Sequence, residues 1–266
     1  MKVLVTGAAG SIGTVVCTGL VDRGHDVVGL DRVPEPEGFV GGWFTGDCAD
    51  LDAVRSAFAE HSGHAGFHGV VHLAGIPDEA SLPEEMTSHV YTTAALLEVM
   101  LEYGVRRIVY ASSNHAVGRA PRQDVLGNGI LPRPDTFYGV AKVAAEALLR
   151  LYVDRHGIDA VALRIGSFQP QPESVRQLST WLSHDDAVRL VEAALLAPDP
   201  GFAILYGISN NTRAWWDLEP GRALGYEPQD DAEAFAGAVT AGPDDELEGA
   251  FVGGPFVGER FHRPAL

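Results

Sequence analysis

Lys2-Val3-Leu4-Val5-Thr6-Gly7-Ala8-Ala9-Gly10-Ser11-Ile12-Gly13 decides how this chain folds. Lys2 to Thr6 reads as a short buried strand. Glycines follow it directly, and Ser11 to Asp22 has the length of a helix. Such a turn lets backbone approach a ligand closely and sets unpaired N–H groups at the helix N-terminus against a pyrophosphate. The spacing departs from the commoner GxGxxG, and glycine turns also arise for purely structural reasons, so the loop alone leaves both readings open. Asp31 discriminates between them. It stands at the end of a second apolar run, about 20 residues past the loop, where a carboxylate accepts from ribose hydroxyls and repels a 2′-phosphate. NAD is therefore expected, with Arg32 next door keeping NADP open.

The same alternation continues along the chain. Asp26 to Leu30, Gly69 to Leu73, Arg107 to Ala111 and Ala160 to Arg164 are short runs rich in Val, Ile and Leu. Helix-length segments separate them: Leu51 to Glu60, Glu84 to Tyr103 and Tyr138 to Arg155, then His184 to Leu196 before a further strand at Ala203 to Tyr206. Repeated βαβ units predict an α/β fold, a doubly wound parallel sheet of Rossmann type covered on both faces. The expected division is a nucleotide-binding domain over 1–165 and a small C-terminal substrate-covering region over 166–266. Gln169-Pro170-Gln171-Pro172 breaks the pattern, and the stretch from about Asp230 is Gly-rich and acidic. This second region is too small for a core of its own; it is expected to close over the strand C-terminal ends, its last segment free to wrap a neighbouring subunit.

With 266 residues, 46% of them hydrophobic, the chain has enough apolar surface for one large core. A net charge of -17 argues against nucleic acid or an anionic membrane as partner, and an anionic small substrate would need a few placed arginines. No apolar run approaches the roughly 18 residues of a membrane span, and no signal-peptide pattern precedes Lys2, so a cytoplasmic protein is expected. Cys17 and Cys48 show neither CxxC nor Cys/His spacing, so neither a disulfide nor a metal is expected.

Three further features carry chemistry. Tyr138-Gly139-Val140-Ala141-Lys142 sets a phenol and an ammonium one helical turn apart, and Lys2 is the one other lysine in the chain. An accident of composition explains that as well as selection does. The chemical reading is an ammonium that lowers the phenol's pKa and makes it a proton acceptor. Useful phenolate near neutral pH needs about 3 to 4 kcal/mol, and one ammonium at ~4 Å supplies about 4 kcal/mol at an effective dielectric near 20. Asp47, before a helix, is either a helix-entry residue near an N-cap or a contact to adenine. Leu73-Ala74-Gly75, at the third strand's end, either lets backbone pass close to a cofactor or makes a plain tight turn.

Taken together, the glycine loop, Asp31, His72 to Gly75, Ser112-Ser113-Asn114-His115 and Tyr138 to Lys142 resemble an extended short-chain dehydrogenase/reductase over about two-thirds of the chain. The resemblance implies a triad of Ser113, Tyr138 and Lys142, and a cofactor shell that also takes Ser11, Ile12, Cys48 and Ile165. Where many relatives carry an asparagine on the preceding helix, this chain has His89. Ser112 to His115, Arg164-Ile165-Gly166-Ser167, Arg176, Ser179 to Ser183 and Trp215-Trp216-Asp217 resemble uronate dehydrogenases, which oxidise the anomeric carbon of galacturonate or glucuronate to an aldarolactone with NAD. On that likeness Ser113, Asn114, His115, Tyr138, Ser167 and Arg176 line the sugar site, and Pro77 stands where relatives offer a serine. Arg176 follows a Pro-bracketed loop: it either grips a carboxylate bidentately or is a solvated surface arginine. His115 is either a third polar group at the strand end or a histidine satisfied by backbone.

The expected chemistry has Tyr138 removing the C1 hydroxyl proton while C1 gives its hydrogen and both bonding electrons to the nicotinamide, Ser113 holding the oxygen. A neighbouring branch sharing these motifs oxidises glucose 6-phosphate, so a sugar-phosphate dehydrogenase is the first alternative. A nucleotide-sugar epimerase or dehydratase needs a larger C-terminal region, and a non-catalytic NAD-binding regulator has no use for a proton acceptor. By analogy with this superfamily the protein is a homo-oligomer, with Glu84 to Tyr103 and Tyr138 to Arg155 as interface candidates.

Overall fold

The computed structural model describes residues 1–61, 66–123 and 125–266. The chain runs β1 (Lys2–Thr6), α1 (Ser11–Asp22), β2 (Asp26–Asp31), β3 (Gly42–Thr45), α2 (Leu51–His61), β4 (Gly69–His72), α3 (Leu82–Glu85), a π-helical turn (Met86–Tyr91), α4 (Thr92–Glu102), β5 (Arg107–Ser113), α5 (Phe137–His156) and β6 (Asp159–Ile165). It continues through β7 (Ser167–Phe168), α6 (Gln177–Thr180), β8 (Trp181–Leu182), α7 (His184–Leu196), β9 (Phe202–Gly207), α8 (Glu219–Ala223) and α9 (Asp245–Ala250).

Seven strands form one sheet in the order β3-β2-β1-β4-β5-β6-β9, every neighbouring pair parallel. Period-two alternation builds both cores. Val3, Val5, Val71, Val109 and Val161 face α1 and α7, whereas Leu4, Val28, Val70, Ile108 and Ala160 face α2, α4 and α5. Near-continuous Val, Ile and Leu runs are what a sheet covered on both faces demands, so the doubly wound architecture expected from the sequence is the one observed. Leu4 is completely buried, and its truncation to alanine would cost about 2 to 5 kcal/mol. The order reverses between β1 and β4, which opens a crevice at their C-terminal ends, where open α/β sheets bind ligands.

Two local expectations give way. Gly42–Thr45 is a strand pairing with β2, although nothing in its four residues announced one. Its aromatics Trp43 and Phe44 are only half-buried at the sheet edge, so no aliphatic run marks it. The segment 84–103, expected as one helix, is instead α3, the π-helical turn and α4 in succession. Thr92 and Thr93 hydroxyls donate to the Ser88 and His89 carbonyls at 2.7 and 2.5 Å, drawing on acceptors of the regular ladder. Past residue 166 the chain returns to the main sheet: α7 packs on α1 and β9 becomes the edge strand beside β6. The final segment then folds back, and Val252 and Gly253 bind the backbone of Ala120 and Gly118.

Candidate active site

A cavity of about 470 Å³ lies along the crevice. Gly7 and Gly10 form one wall, Asp31, Arg32, Asp47 and Cys48 another, and Leu73, Ala74 and Gly75 a third. Gly7 turns with φ +68°, and a Cβ there would stand 2.7 Å from the Ala74 nitrogen, so only glycine lets the loop pass β4's end this closely. Helix α1 starts from Gly10 in the cavity wall with no side-chain cap, which leaves the N–H groups of its first turn, Ser11, Ile12 and Gly13, uncapped. Ser11 is exposed, Ile12 packs on the core, and a Cβ at Gly13 would overlap the Gly7 carbonyl. The Asp31 carboxylate accepts from the Ala9 N–H at 3.0 Å, tying the glycine loop to the end of β2. An uncapped helix terminus, a close-approach glycine and a carboxylate at the strand end together fit a dinucleotide.

Asp47 is not the cap of α2. Its carboxylate accepts from Ala49 N–H at 2.8 Å, and the capping oxygen belongs to Asp50, which accepts from Asp52 at 3.0 Å. Cys48 is buried, its thiol pushed up to about 12 by burial, so it packs and does not react. Under Leu73–Gly75, the Thr6 hydroxyl binds His72 Nδ1 at 2.7 Å and accepts from Ala74 N–H at 3.3 Å. Burial drags His72 down to about 3, so it stays neutral. Ile76, Thr87, Ser88 and Thr92 also line the cavity. Thr87, Ser88 and Thr92 gave no sequence signal because their segment reads as an uninterrupted helix, and Ile76 gave none because it is one apolar residue in a loop.

Beyond the crevice, strand alternation separates the two serines that end β5. Ser112 donates to Glu146 at 2.6 Å within a buried knot that also holds Arg164, whose guanidinium reaches Glu146 at 2.8 and 3.0 Å. Ser113 faces the other way, toward the Tyr138 phenol, and accepts from His115 N–H at 3.2 Å. Lys142 is buried beneath them; its ammonium donates to the Ala111 carbonyl at 2.6 Å and lies 5.1 Å from the Tyr138 ring centre. Ile165, paired with Ser113 across β5 and β6, is half-buried and outside the cavity wall.

The electrostatics differ from the sequence expectation. Burial pushes the Tyr138 phenol well above its ordinary value, with Glu85 and Asp135 acting in the same direction and only the Ser113 hydroxyl opposing them. Burial likewise pulls Lys142 down to about 7, against the pull of Glu85 and Glu146. A dry pocket favours the neutral form of each group, so the lysine alone does not make a phenolate here.

Two acid–histidine pairs flank the phenol. Glu85 and His89, both fully buried, stand 3.3 Å apart, and the His89 ring centre is 5.2 Å from that of Tyr138. His89 Nε2 donates to the Ile76 carbonyl at 3.0 Å, which leaves Nδ1 without a partner among the described residues. Burial raises Glu85 to about 7 and lowers His89 to about 2. On the other side, the Asp135 carboxylate binds His115 Nδ1 at 2.9 Å, and the His115 ring is 5.8 Å from that of Tyr138. Neither Glu85 nor Asp135 carried a sequence signal beyond ordinary helix-entry polarity.

Arg176 packs against Val252 and Gly254. Its Nη2 donates to the Val252 carbonyl at 2.6 Å, and its Nη1 makes long contacts of 3.4 and 3.5 Å to Thr180 and Ser167. The buried Nε has no partner, and no ion pair forms with Arg176 among the described residues. Asn114 donates to the same Val252 oxygen at 3.0 Å. Val252 thus joins Arg176 to the end of β5. Pro77 is exposed and offers no donor.

Known proteins resemble this chain in sequence and in fold. The family model described as NAD dependent epimerase/dehydratase family matches residues 3–184. The chain is 38% identical over 261 residues to a uronate dehydrogenase of Agrobacterium fabrum, covering 96% of each. An NAD-dependent glucose-6-phosphate dehydrogenase of Haloferax volcanii is 35% identical over 256 residues, 88% of this chain and 95% of the relative. Among solved structures, a tyrosine-to-alanine mutant of uronate dehydrogenase from Agrobacterium tumefaciens, complexed with NAD, superposes with a TM-score of 0.88 at 37% identity, covering 100% of this chain and 98% of that one.

Proposed function

The chain belongs to the NAD dependent epimerase/dehydratase family, and from that premise we propose that it oxidises the anomeric carbon of a hexuronic acid, galacturonate or glucuronate, to the aldarolactone with NAD. The observation that carries the substrate class is Arg176: a guanidinium with a buried, unpartnered Nε, linked through one carbonyl oxygen to Asn114 beside Ser113. An arginine held this way is built for a planar anion, and a sugar carboxylate matches its fork.

Gly7, Gly10, the N-terminus of α1 and Asp31 hold the dinucleotide, Asp31 selecting NAD over its 2′-phosphate form. When bound, NAD would accept the C1 hydrogen with both bonding electrons, and its positive charge would favour the anionic form of Tyr138. Tyr138 takes the proton of the C1 hydroxyl as its phenolate, the form that a cationic cofactor ring would favour, and passes it on to solvent, so the reaction balances as lactone, reduced cofactor and one proton. Ser113 holds the sugar oxygen as it becomes a carbonyl. His115, fixed through Nδ1 by Asp135, has Nε2 left to bind a sugar hydroxyl. Ser167 joins Arg176 on the far side. The protein works in the cytoplasm as a homo-oligomer; exposed Val140 and Leu151 on α5 and Tyr91 on the π-helical turn supply apolar surface for the contact.

NADH formation with galacturonate, glucuronate and glucose 6-phosphate, measured side by side, tests this. The uronates are expected to be oxidised far faster, and a higher kcat/KM on glucose 6-phosphate would overturn the assignment. In the same assay Tyr138→Phe abolishes turnover and leaves the NAD dissociation constant within about twofold of wild type. Substantial residual turnover would remove Tyr138 from the role of base.

A further inference from the structure

Val252 to Phe256, near the end of the chain, touch both polar arms of the cleft. The Val252 carbonyl accepts from Asn114 and from Arg176. Gly253 lies against the Asp135 carboxylate, which is wedged between it and Gly118; a Cβ at either glycine would overlap that carboxylate. Gly254, at φ +59°, lies against Arg176, and a Cβ there would overlap Nε and Cδ of the guanidinium arm. The Phe256 ring covers the His115 ring with centres 4.4 Å apart and is itself backed by Phe261 at 4.0 Å. The residues that the sequence likeness set around the sugar, Asn114, His115 and Arg176, therefore share one neighbour.

That neighbour is fixed from elsewhere. Val252 N–H donates to the Ala120 carbonyl at 3.0 Å, Gly253 N–H to the Gly118 carbonyl at 2.9 Å, and Arg122 N–H to the Ala250 carbonyl at 2.8 Å. The Val252 side chain is fully buried in the main core. The strap is thus anchored along 118–122, and Arg176 adapts to it. One Arg176 donor is spent on Val252; Nε remains free. A charged donor held in place with capacity to spare is preorganised for a ligand anion.

We propose that Val252–Phe256 is the specificity element of the substrate site: its carbonyl and its two glycines set Asn114, the Asp135–His115 pair and Arg176 at the spacing of a sugar that bears a carboxylate, and so create the preference for a uronate over the neutral parent sugar. This rests on the uronate reading above. These residues act through others and are positioning residues, so their loss shows in uronate binding before it shows in the chemistry at C1.

Gly254→Ala is the test. The new methyl displaces the guanidinium, so KM for galacturonate, and its dissociation constant from the NADH-saturated protein by calorimetry, should rise about tenfold. The kcat/KM on galactose and the NAD dissociation constant should stay within about twofold of wild type. Phe256→Leu, which frees the His115 ring without backbone strain, should raise KM for galacturonate about threefold. The strap loses its role if Gly254→Ala binds NAD normally and keeps the wild-type ratio of galacturonate to galactose. Should Gly254→Ala fail to bind NAD, an unchanged KM for galacturonate in Phe256→Leu overturns the proposal and a raised one supports it. A wild type that forms no NADH from either uronate rejects the uronate reading itself, a separate outcome from a uronate-active wild type whose variants stay selective.

Discussion

The Glu79 carboxylate accepts the backbone N–H of Tyr138 at 3.0 Å, and its other oxygen takes that of Phe137 at the same distance. Thr136 caps the next donor, Gly139, also at 3.0 Å. All three free N–H groups at the start of α5 are therefore satisfied, and Tyr138 stands on a helix end that is pinned from the loop after β4. A negative charge there also opposes the positive end of the helix dipole. Glu79→Gln keeps the shape but leaves one N–H facing an amide that cannot accept it. It should cost about 1 to 2 kcal/mol in urea unfolding and lower kcat with little change in KM. Loss of stability with unchanged kcat would reduce Glu79 to a cap.

Glu85 and Lys142 govern the pH response. Lys142, held near 7 by burial, is kept that high in part by the Glu85 carboxylate, while Glu85 is itself raised to about 7. His72 and His89 beside them stay neutral across this range. Removing the charge in Glu85→Gln takes away support for the ammonium, so Lys142 gives up its proton at lower pH. The alkaline limb of kcat/KM for NAD should therefore move acidward, because the protonated lysine is the active form. The sign for stability follows from the same shift. Between about 7 and 10.5 the unfolded chain holds a proton on Lys142 that the folded protein has released, so this group makes the protein more stable as pH rises through that window. In Glu85→Gln the window should open at lower pH. A rate profile whose alkaline limb does not move would show that Lys142 is not the titrating group.

The fold was legible because burial on both faces writes strands as aliphatic runs; α1 and α7 begin and end where the pattern said, and Asp31 was placed by the geometry of the strand end. Gly42–Thr45 escaped because its Gly-Trp-Phe-Thr sequence holds no aliphatic run, unlike the Ala-Ile-Leu run of the other edge strand, β9. The π-helical turn escaped because one extra residue per turn leaves no mark in composition. In the cleft, Tyr138 and Lys142 stood out by residue type and spacing, whose meaning the family likeness supplied, and Ser113 by that likeness alone. Glu79, Glu85, Asp135 and Val252 did not: each acts on another residue across a long stretch of sequence, through a backbone carbonyl or a buried carboxylate, and such contacts exist only once the chain is folded.

Cofactor choice should turn on Asp31. Its carboxylate faces the cavity while holding Ala9 N–H. Asp31→Asn retains an acceptor for that N–H and removes the charge that repels a 2′-phosphate, with Arg32 already alongside to attract one. The ratio of kcat/KM for NADP to that for NAD should rise about tenfold or more. An unchanged ratio would mean that the ribose hydroxyls are read elsewhere.

Arg176 should divide uronates from neutral sugars most sharply. Its guanidinium is pulled down to about 10 by burial, still far enough above neutrality to be fully charged in the working range. A charge-assisted pair with a substrate carboxylate contributes about 2 to 3 kcal/mol, so Arg176→Ala should lower kcat/KM on galacturonate by roughly thirty- to two-hundred-fold. Galactose, with no carboxylate to hold, should lose much less. Arg176→Lys restores the charge without the planar fork, and its spherical ammonium cannot make the two parallel bonds, so it should recover only a small part of the uronate activity. Equal losses on both sugars in Arg176→Ala would take the carboxylate out of its grip.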